Sequence, residues 1–170
     1  MDHWIPVIAT LLGILLGGII STVTTLVALN REEQIKKRAL VLDKLELTHE
    51  VARTMRQTYK ETYGGFMQRL ALGTSAKDES EGKLVDIDRL WMLVRFYSPS
   101  ISPLVEEIEA SRKGFGGILA STITLTPPPL EARRELMDKL SAQYRDLDEK
   151  FDTLLQSIAA QARKYVVAKM

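Results

Sequence analysis

Glu46 and His49 come closest, of all the residues in this chain, to a spacing that carries chemistry. A Glu-x-x-His motif places both side chains on one face of a helix, as in helical bundles that hold two iron ions. Such a centre needs two of these motifs and two further carboxylates, whereas the only other histidine is His3. We therefore predict no metal site and interpret His49 as a polar member of a packed helix face.

The other residue types that could support catalysis are not arranged for it. Carboxylates occur in close pairs, but at spacings of one and two residues their side chains point to different sides of a helix. These pairs are Asp86 with Asp88 and Glu106 with Glu107. Neither Gly64-Gly65 nor the run from Gly114 to Gly117 is followed by the Lys and Ser or Thr of a phosphate-binding loop. The sequence predicts no catalytic residue, no cofactor and no enzyme.

Composition excludes several classes of protein. The chain has no cysteine, which excludes disulfide bonds, thiol catalysis and cysteine-ligated metal sites. All 23 Lys and Arg residues and 21 of the 22 acidic residues follow residue 30, so that part carries a charge of about +2. So balanced a charge does not suit a protein that binds nucleic acid by neutralising phosphates. No pattern for a small-molecule substrate is evident either.

The first 30 residues predict a membrane anchor. From Trp4 to Asn30 no side chain is charged, and Ile5 to Leu29 forms an apolar run. As a helix of about 25 residues this run is about 37 Å long, more than the roughly 30 Å hydrocarbon core of a bilayer. It is too long for a cleaved signal peptide, and Met1 to His3 contains no Lys or Arg. We expect a single transmembrane helix in contact with membrane lipid.

The charges beside this run predict its orientation. Four basic residues follow the run closely, and basic residues beside a span favour the cytoplasmic side. They are Arg31, Lys36, Lys37 and Arg38. The other side of the run offers only the α-amino group and Asp2. We therefore predict a single-pass protein of the inner (cytoplasmic) membrane, with its N-terminus outside and its remaining domain in the cytoplasm.

Small residues recur every four positions within the apolar run. They lie on nearly one face of the predicted helix and are Ala9, Gly13, Gly17, Ser21 and Thr25. Gly13 and Gly17 form a GxxxG element, which lets two membrane helices approach closely and pair. Glycine is also common in membrane spans without pairing. Both interpretations, a homo-oligomer and an ordinary span, remain open.

The rest of the chain, residues 31–170, predicts an all-α bundle. Apolar residues recur at helical spacing in four segments that are separated by loops or proline-rich breaks: 31–72, 83–97, 103–125 and 130–168. Ser98 to Pro103 breaks the second segment from the third, and we interpret this break as a kink, with Ser102 as the N-cap after it. Three legs of similar length then predict an elongated antiparallel up-down-up bundle whose middle leg is kinked. The first leg continues out of the transmembrane helix.

The last segment has the most regular apolar pattern of the chain. Steps of three and four residues form a heptad seam made of Met137, Leu140, Tyr144, Leu147, Phe151, Leu154 and Ile158. Such a seam packs within its own domain more often than between chains. The segment 83–97 is apolar on two faces, the second formed by Met92, Leu93 and Phe96, so we expect it to be buried on most sides.

The uncharged run from Gly114 to Leu130 has two interpretations. In an up-down-up bundle the second leg returns towards the membrane, so this run would lie at the lipid surface or at the base of the anchor. It is too short, and too rich in proline, to span the membrane. The alternative is an ordinary apolar end of the bundle.

The layout resembles a loose group of uncharacterised bacterial single-span proteins of the inner membrane. The resemblance rests on a Gly-rich anchor (Leu11 to Ser21), a charged juxtamembrane helix (Arg31 to Arg38) and a Leu/Arg-rich helix that ends in a Tyr-Ser-Pro turn (Leu90 to Pro99). It implies a bacterial membrane protein with a cytoplasmic helical bundle and no assigned activity.

Three functions follow from these features. The leading hypothesis is a membrane-tethered interaction or scaffold module, whose bundle surface binds a protein partner or a second copy of itself. A second hypothesis is a membrane-active protein, holin- or toxin-like, that oligomerises through Gly13 and Gly17. A third is an extracytoplasmic sensor or spanin-like bundle, which requires the opposite orientation.

Overall fold

The protein is all-α over the residues that the computed structural model describes. These are residues 4–73, 87–122 and 129–167, and the side chains of 4–17, 19, 20, 122 and 167 lie outside the description. The elements are α1 (Trp4–Leu72), α2 (Ile87–Tyr97), a 3₁₀ turn (Pro99–Ile101), α3 (Ser102–Thr122) and α4 (Leu130–Val167). Within these ranges there is no strand, which confirms the predicted fold class.

Helix α1 is a single helix of 69 residues that contains both the apolar run and the first wall of the bundle. It passes through Gly64 and Gly65 without interruption. It ends at Leu72, and the following Gly73 has a φ of 64°, the left-handed conformation that glycine adopts at helix ends. Arg133 Nη1 donates a hydrogen bond of 3.4 Å to the carbonyl oxygen of Leu70, so a side chain of α4 satisfies one of the terminal carbonyls.

The chain forms two units, Met1–Val41 and Leu42–Met170. Every side chain of residues 21–40 is exposed, and the end of an anchor at Asn30 stays a prediction. In the first unit, i,i+4 ion pairs support the helix: Lys36 lies 2.7 Å from Glu32, and Lys37 lies 3.8 Å from Glu33.

Across the residues that the structure describes, no helix is both long and apolar enough to cross a membrane. Much of the predicted span falls on residues 4–17, 19 and 20, whose side chains are outside the description.

Within the second unit, α1 and α4 run antiparallel. Three side-chain contacts join them, and along these contacts the numbers rise in α1 while they fall in α4. The contacts are Arg56 with Asp148, Tyr63 with Ser141, and Leu70 with Arg133. This pairing fixes one register between the two helices.

Helices α2 and α3 form a hairpin, so the predicted kinked leg is wrong. Trp91 Nε1 donates a hydrogen bond of 3.0 Å to Glu109 Oε2, although the two residues are 18 positions apart. In one continuous helix that separation would be about 27 Å. The chain therefore reverses in the 3₁₀ turn after Tyr97, where proline occupies the first position.

This reversal also changes the role of Ser102. Its φ of −52° and ψ of −41° are helical, and its N–H donates to the carbonyl oxygen of Pro99, so it is not the predicted N-cap. Ser98, directly before the turn, is buried, and its hydroxyl donates to Gln161 Oε1 of α4 at 2.6 Å. The turn is thus attached to α4 by hydrogen bonds.

Helix α3 runs in the same direction as α1. Ser98, just before α3, is bonded to Gln161, and Ser111 is bonded to Asp146, so α3 and α4 are antiparallel. Because α4 is antiparallel to both, the helices alternate up-down-up-down rather than up-down-up. Phe115 contacts Tyr59 at a ring distance of 6.0 Å, on the way to the Leu70 end of α1.

This direction bears on the run from Gly114 to Leu130. Within the second unit, the described part of the run, residues 114–122, continues towards the Leu70 end of α1. Contact of the run with the membrane stays a prediction. Residues 123–128 lie outside the described residues.

The heptad seam of α4 packs inside the bundle. Five of its members are buried, namely Leu140, Leu147, Phe151, Leu154 and Ile158, and Met137 is half-buried. Tyr144 stacks on Tyr63 with ring centroids 4.2 Å apart. Buried side chains from the other helices complete the core: Leu45, Ala52, Met55, Tyr59, Phe66, Leu70, Leu90, Leu93, Val94, Val105, Ile108 and Phe115. Each buried large aliphatic side chain contributes about 1.5–3 kcal/mol.

If α2 and α3 form a hairpin, the start of α2 lies close to the middle of α3. Because the chain has no cysteine, spin labels can be attached only at introduced positions. In the variant Asp88→Cys/Lys113→Cys we expect a label distance of about 20 Å or less, since packed helices lie about 8–10 Å apart. Double electron–electron resonance measures it.

The control pair has the same sequence separation within one helix. Asp138→Cys/Arg163→Cys in α4 should give about 37 Å, the rise of a continuous helix. Similar distances for both pairs would contradict the hairpin.

Candidate functional site

A polar groove lies between α1 and α4. Its α1 wall carries cationic residue types at steps of four, three and four residues, which places them on one helix face. The groove encloses about 510 Å³ and is lined by His49, Arg53, Arg56, Gln57, Lys60, Tyr144, Asp148 and Leu155. Among the lining residues Asp148 is the one carboxylate.

Arg56 makes three hydrogen bonds, all to carboxylates of α4. Its Nε and Nη2 atoms donate to the two carboxylate oxygens of Asp148 at 2.6 and 2.8 Å, a bidentate pair. Its Nη1 atom donates to Asp152 Oδ1 at 2.5 Å. The Arg56 and Asp148 side chains are 29% and 30% exposed, so the pair is only partly screened by water.

The ion pair shifts both ionisation equilibria. Hydrogen bonds from Arg56 lower the pKa of the Asp148 carboxyl, burial opposes this, and the charges of Arg56 and Lys60 add to the lowering. Hydrogen bonding to Asp148 raises the pKa of Arg56 in turn. Around neutral pH, Arg56 is therefore a cation and Asp148 an anion, and each neutralises the other.

Aromatic rings pack between α1 and α4. Tyr144 stacks on Tyr63 at an interplanar angle of 5°, and Tyr59 lies 5.9 Å from Phe151. Burial is the main cause that raises the pKa of the Tyr144 hydroxyl and that of Tyr59. Both phenols thus stay protonated at neutral pH and offer hydroxyl donors.

The flanking cations of the groove, Arg53 and Lys60, are exposed. His49 is half-buried at the same groove, while Glu46 is exposed to solvent. Over the described residues, no group of three or more His, Cys, Asp or Glu side chains could hold a metal ion.

Ser111, Asp146 and Lys150 form a second polar cluster, between α3 and α4. Lys150 Nζ donates to both Ser111 Oγ and Asp146 Oδ2, and the buried Ser111 hydroxyl donates to Asp146 at 2.5 Å. Hydrogen bonds from Lys150 and Ser111 lower the pKa of Asp146. The cluster joins α3 to α4 through side-chain hydrogen bonds.

The outer face of α2 differs from the prediction. Leu93 is buried, but Met92 is 50% exposed and Phe96 is 78% exposed. The prediction that α2 is buried on most sides is wrong, because its core contacts come from one face only, with Leu90 and Val94. Met92 and Phe96 are one helical turn apart and form an exposed apolar ridge.

The predicted residues of the first unit are described in part. Arg31, Lys36, Lys37 and Arg38 are all exposed. Of the small-residue stripe, Ser21 and Thr25 are exposed, whereas the side chains of Ala9, Gly13 and Gly17 lie outside the description. The Thr25 hydroxyl donates to the Ser21 carbonyl oxygen at 2.8 Å.

No protein-family model, no curated protein and no solved structure matches this chain. The resemblance to bacterial single-span membrane proteins therefore stays a prediction from the sequence.

Sequence reasoning missed the groove. Arg56 and Asp148 are 92 positions apart, so no local pattern links them. The one available signal was the row of cationic residue types between His49 and Lys60 on a single face of α1.

Removal of the Arg56 charge should destabilise the bundle at neutral pH. In Arg56→Gln, Asp148 and Asp152 lose their shared cation, and we expect a loss of about 1–3 kcal/mol in the free energy of unfolding. Chemical denaturation of the full chain in neutral detergent, followed by circular dichroism, measures it. Arg134→Gln, an exposed position in α4, is the control and should change little.

The stability that Arg56→Gln loses should become smaller as the pH falls. The pKa of Asp148 is lowered in the folded state, so its contribution is present above the unfolded pKa and disappears as pH falls through the folded pKa. The difference between wild type and Arg56→Gln should therefore shrink below about pH 4. A difference that grows in acid would contradict the ion pair.

Proposed function

We propose that this protein is a membrane-tethered helical interaction module without catalytic activity. The observation that carries this proposal is the unbroken α1, which contains both the apolar run and a wall of the bundle. Such a helix connects a segment suited to lipid with a folded domain through continuous backbone. The bundle would then present its surface to a protein partner, or to a second copy, at the membrane.

The described end of the apolar run supports a lipid environment. Every residue from 21 to 29 is exposed, including the large apolar side chains Val23, Leu26, Val27 and Leu29. Exposure of these four large apolar side chains is costly in water and favourable in lipid. The hydroxyls of Thr22 and Thr25 donate to carbonyls four residues earlier, at 2.8 Å each, so they need no water.

The orientation in this proposal follows the charges after the run. Arg31, Lys36, Lys37 and Arg38 favour the cytoplasmic side, which gives a single-pass inner-membrane protein with a cytoplasmic bundle. Glu32 and Glu33 pair with two of these lysines. Acidic residues count little in this rule, so the predicted orientation is unchanged.

The surface available for a partner has two described parts. One is the apolar ridge of Met92 and Phe96 on α2. The other is the polar groove between α1 and α4. Aromatic residues, Met and Arg are enriched on surfaces that bind proteins.

Membrane fractionation tests the tether. We expect the full chain to stay with the membrane pellet after alkaline extraction, and Ile14→Arg/Leu15→Arg to move into the supernatant, because each arginine costs about 2.5–3.5 kcal/mol at the centre of a span. Ile14→Leu/Leu15→Ile is the control and should stay in the pellet.

Wild-type protein in the supernatant would contradict the tether. Reporter fusions at Met170 separate the orientations: activity of green fluorescent protein supports the cytoplasmic module, whereas activity of alkaline phosphatase would favour the extracytoplasmic sensor.

A further inference from the structure

Positive charges outnumber negative ones by one at the α1–α4 groove, once Asp152, which pairs with Arg56, is counted with Asp148. Arg53, Arg56 and Lys60 line the groove, against the single lining carboxylate of Asp148. Arg56 also receives the carboxylate of Asp152, so its charge is consumed within the fold. The exposed Arg53 and Lys60 lie about one turn to either side of Arg56 on α1, and the charge of Lys60 helps to lower the pKa of Asp148.

We infer that the groove binds an acidic peptide segment of a partner protein, through Arg53 and Lys60. This inference rests on the proposed interaction module and names the chemistry of its partner. Arg53 can bind one carboxylate through two parallel N–H donors. The Lys60 ammonium can form an ion pair with a second carboxylate. The ion pair of Arg56 with Asp148 holds the groove walls between them.

The spacing of the two cations favours a peptide over a small anion. Arg53 and Lys60 lie two turns apart on α1, about 10.5 Å along the axis. A single phosphate or carboxylate is too small to contact both. Carboxylates seven residues apart on a helix, or three apart on an extended strand, have about the same separation.

The remaining lining residues suit a peptide as well. Leu155 and the ring of Tyr144 provide apolar contact area beside the charges. Gln57 adds an amide that both donates and accepts hydrogen bonds. A segment with acidic residues on either side of an apolar one would therefore use every type of surface in the groove.

A labelled peptide tests the inference. The probe is a fluorescent helical peptide with two glutamates seven residues apart and one leucine between them, titrated with the full chain in neutral detergent micelles at low salt. Fluorescence anisotropy reports binding. Arg53→Gln/Lys60→Gln should weaken binding about fivefold to tenfold, since two exposed charge pairs are lost.

The control variant makes the same charge change elsewhere. Arg163→Gln/Lys164→Gln, at exposed positions of α4 outside the groove, should keep the affinity within about twofold. A peptide with glutamine in place of both glutamates should bind as weakly as the groove variant does to the acidic probe.

Three outcomes would overturn the inference. The first is that the acidic peptide does not bind to the wild type. The second is that the two double variants lose equal affinity for the peptide. The third is that inorganic phosphate, added at the same total charge as the peptide, displaces it. The last would show a small-anion site instead. Membrane fractionation does not depend on the groove, so these outcomes are separable from a failure of the tether.

Discussion

The register between α1 and α4 is the constraint on which the rest of the bundle depends. Arg56 bridges two carboxylates of α4, and Tyr63 stacks on Tyr144 about two turns further along. A slip of one helical turn, about 5.4 Å, would take one carboxylate from Arg56 and separate the two rings. Apolar side chains alone tolerate such slips, because one leucine can replace another in a heptad seam. The polar and aromatic pairs therefore determine the register, which the heptad seam alone does not.

This register has consequences on both sides of α4. On one side the seam faces the core, with Leu147, Phe151 and Leu154 fully buried. On the other, the long side chains of the Arg56 ion pair join α1 to α4 beside the groove. The same contact that fixes the register thus also places Asp148 and Asp152 beside Arg56 at the groove.

Much of the fold could be predicted from local patterns. The all-α class, the start of α4 at Leu130 and its seam follow from helical spacing and from the prolines before it. The direction of α3 could not, because a break of Ser and Pro residues is compatible with a kink and with a reversal. The contact of Trp91 with Glu109 decides between them, and it depends on tertiary packing.

The surface was less predictable than the core. Spacing showed that Met92 and Phe96 share a face, but it cannot tell how many neighbours cover a helix. The groove requires Asp148 opposite Arg56, which only the register supplies. For the apolar run the sequence says more than the structure does. Its composition is evident, whereas the structure describes the side chains of only part of it.

A double-mutant cycle on Arg56 and Asp148 tests the register most directly. The free energies of unfolding of wild type, Arg56→Ala, Asp148→Ala and the double variant give the coupling between the two side chains. For residues in direct contact we predict a favourable coupling of about 0.5–3 kcal/mol. Losses that add to within about 0.3 kcal/mol would show that the two side chains do not meet, and would contradict the register and the groove together.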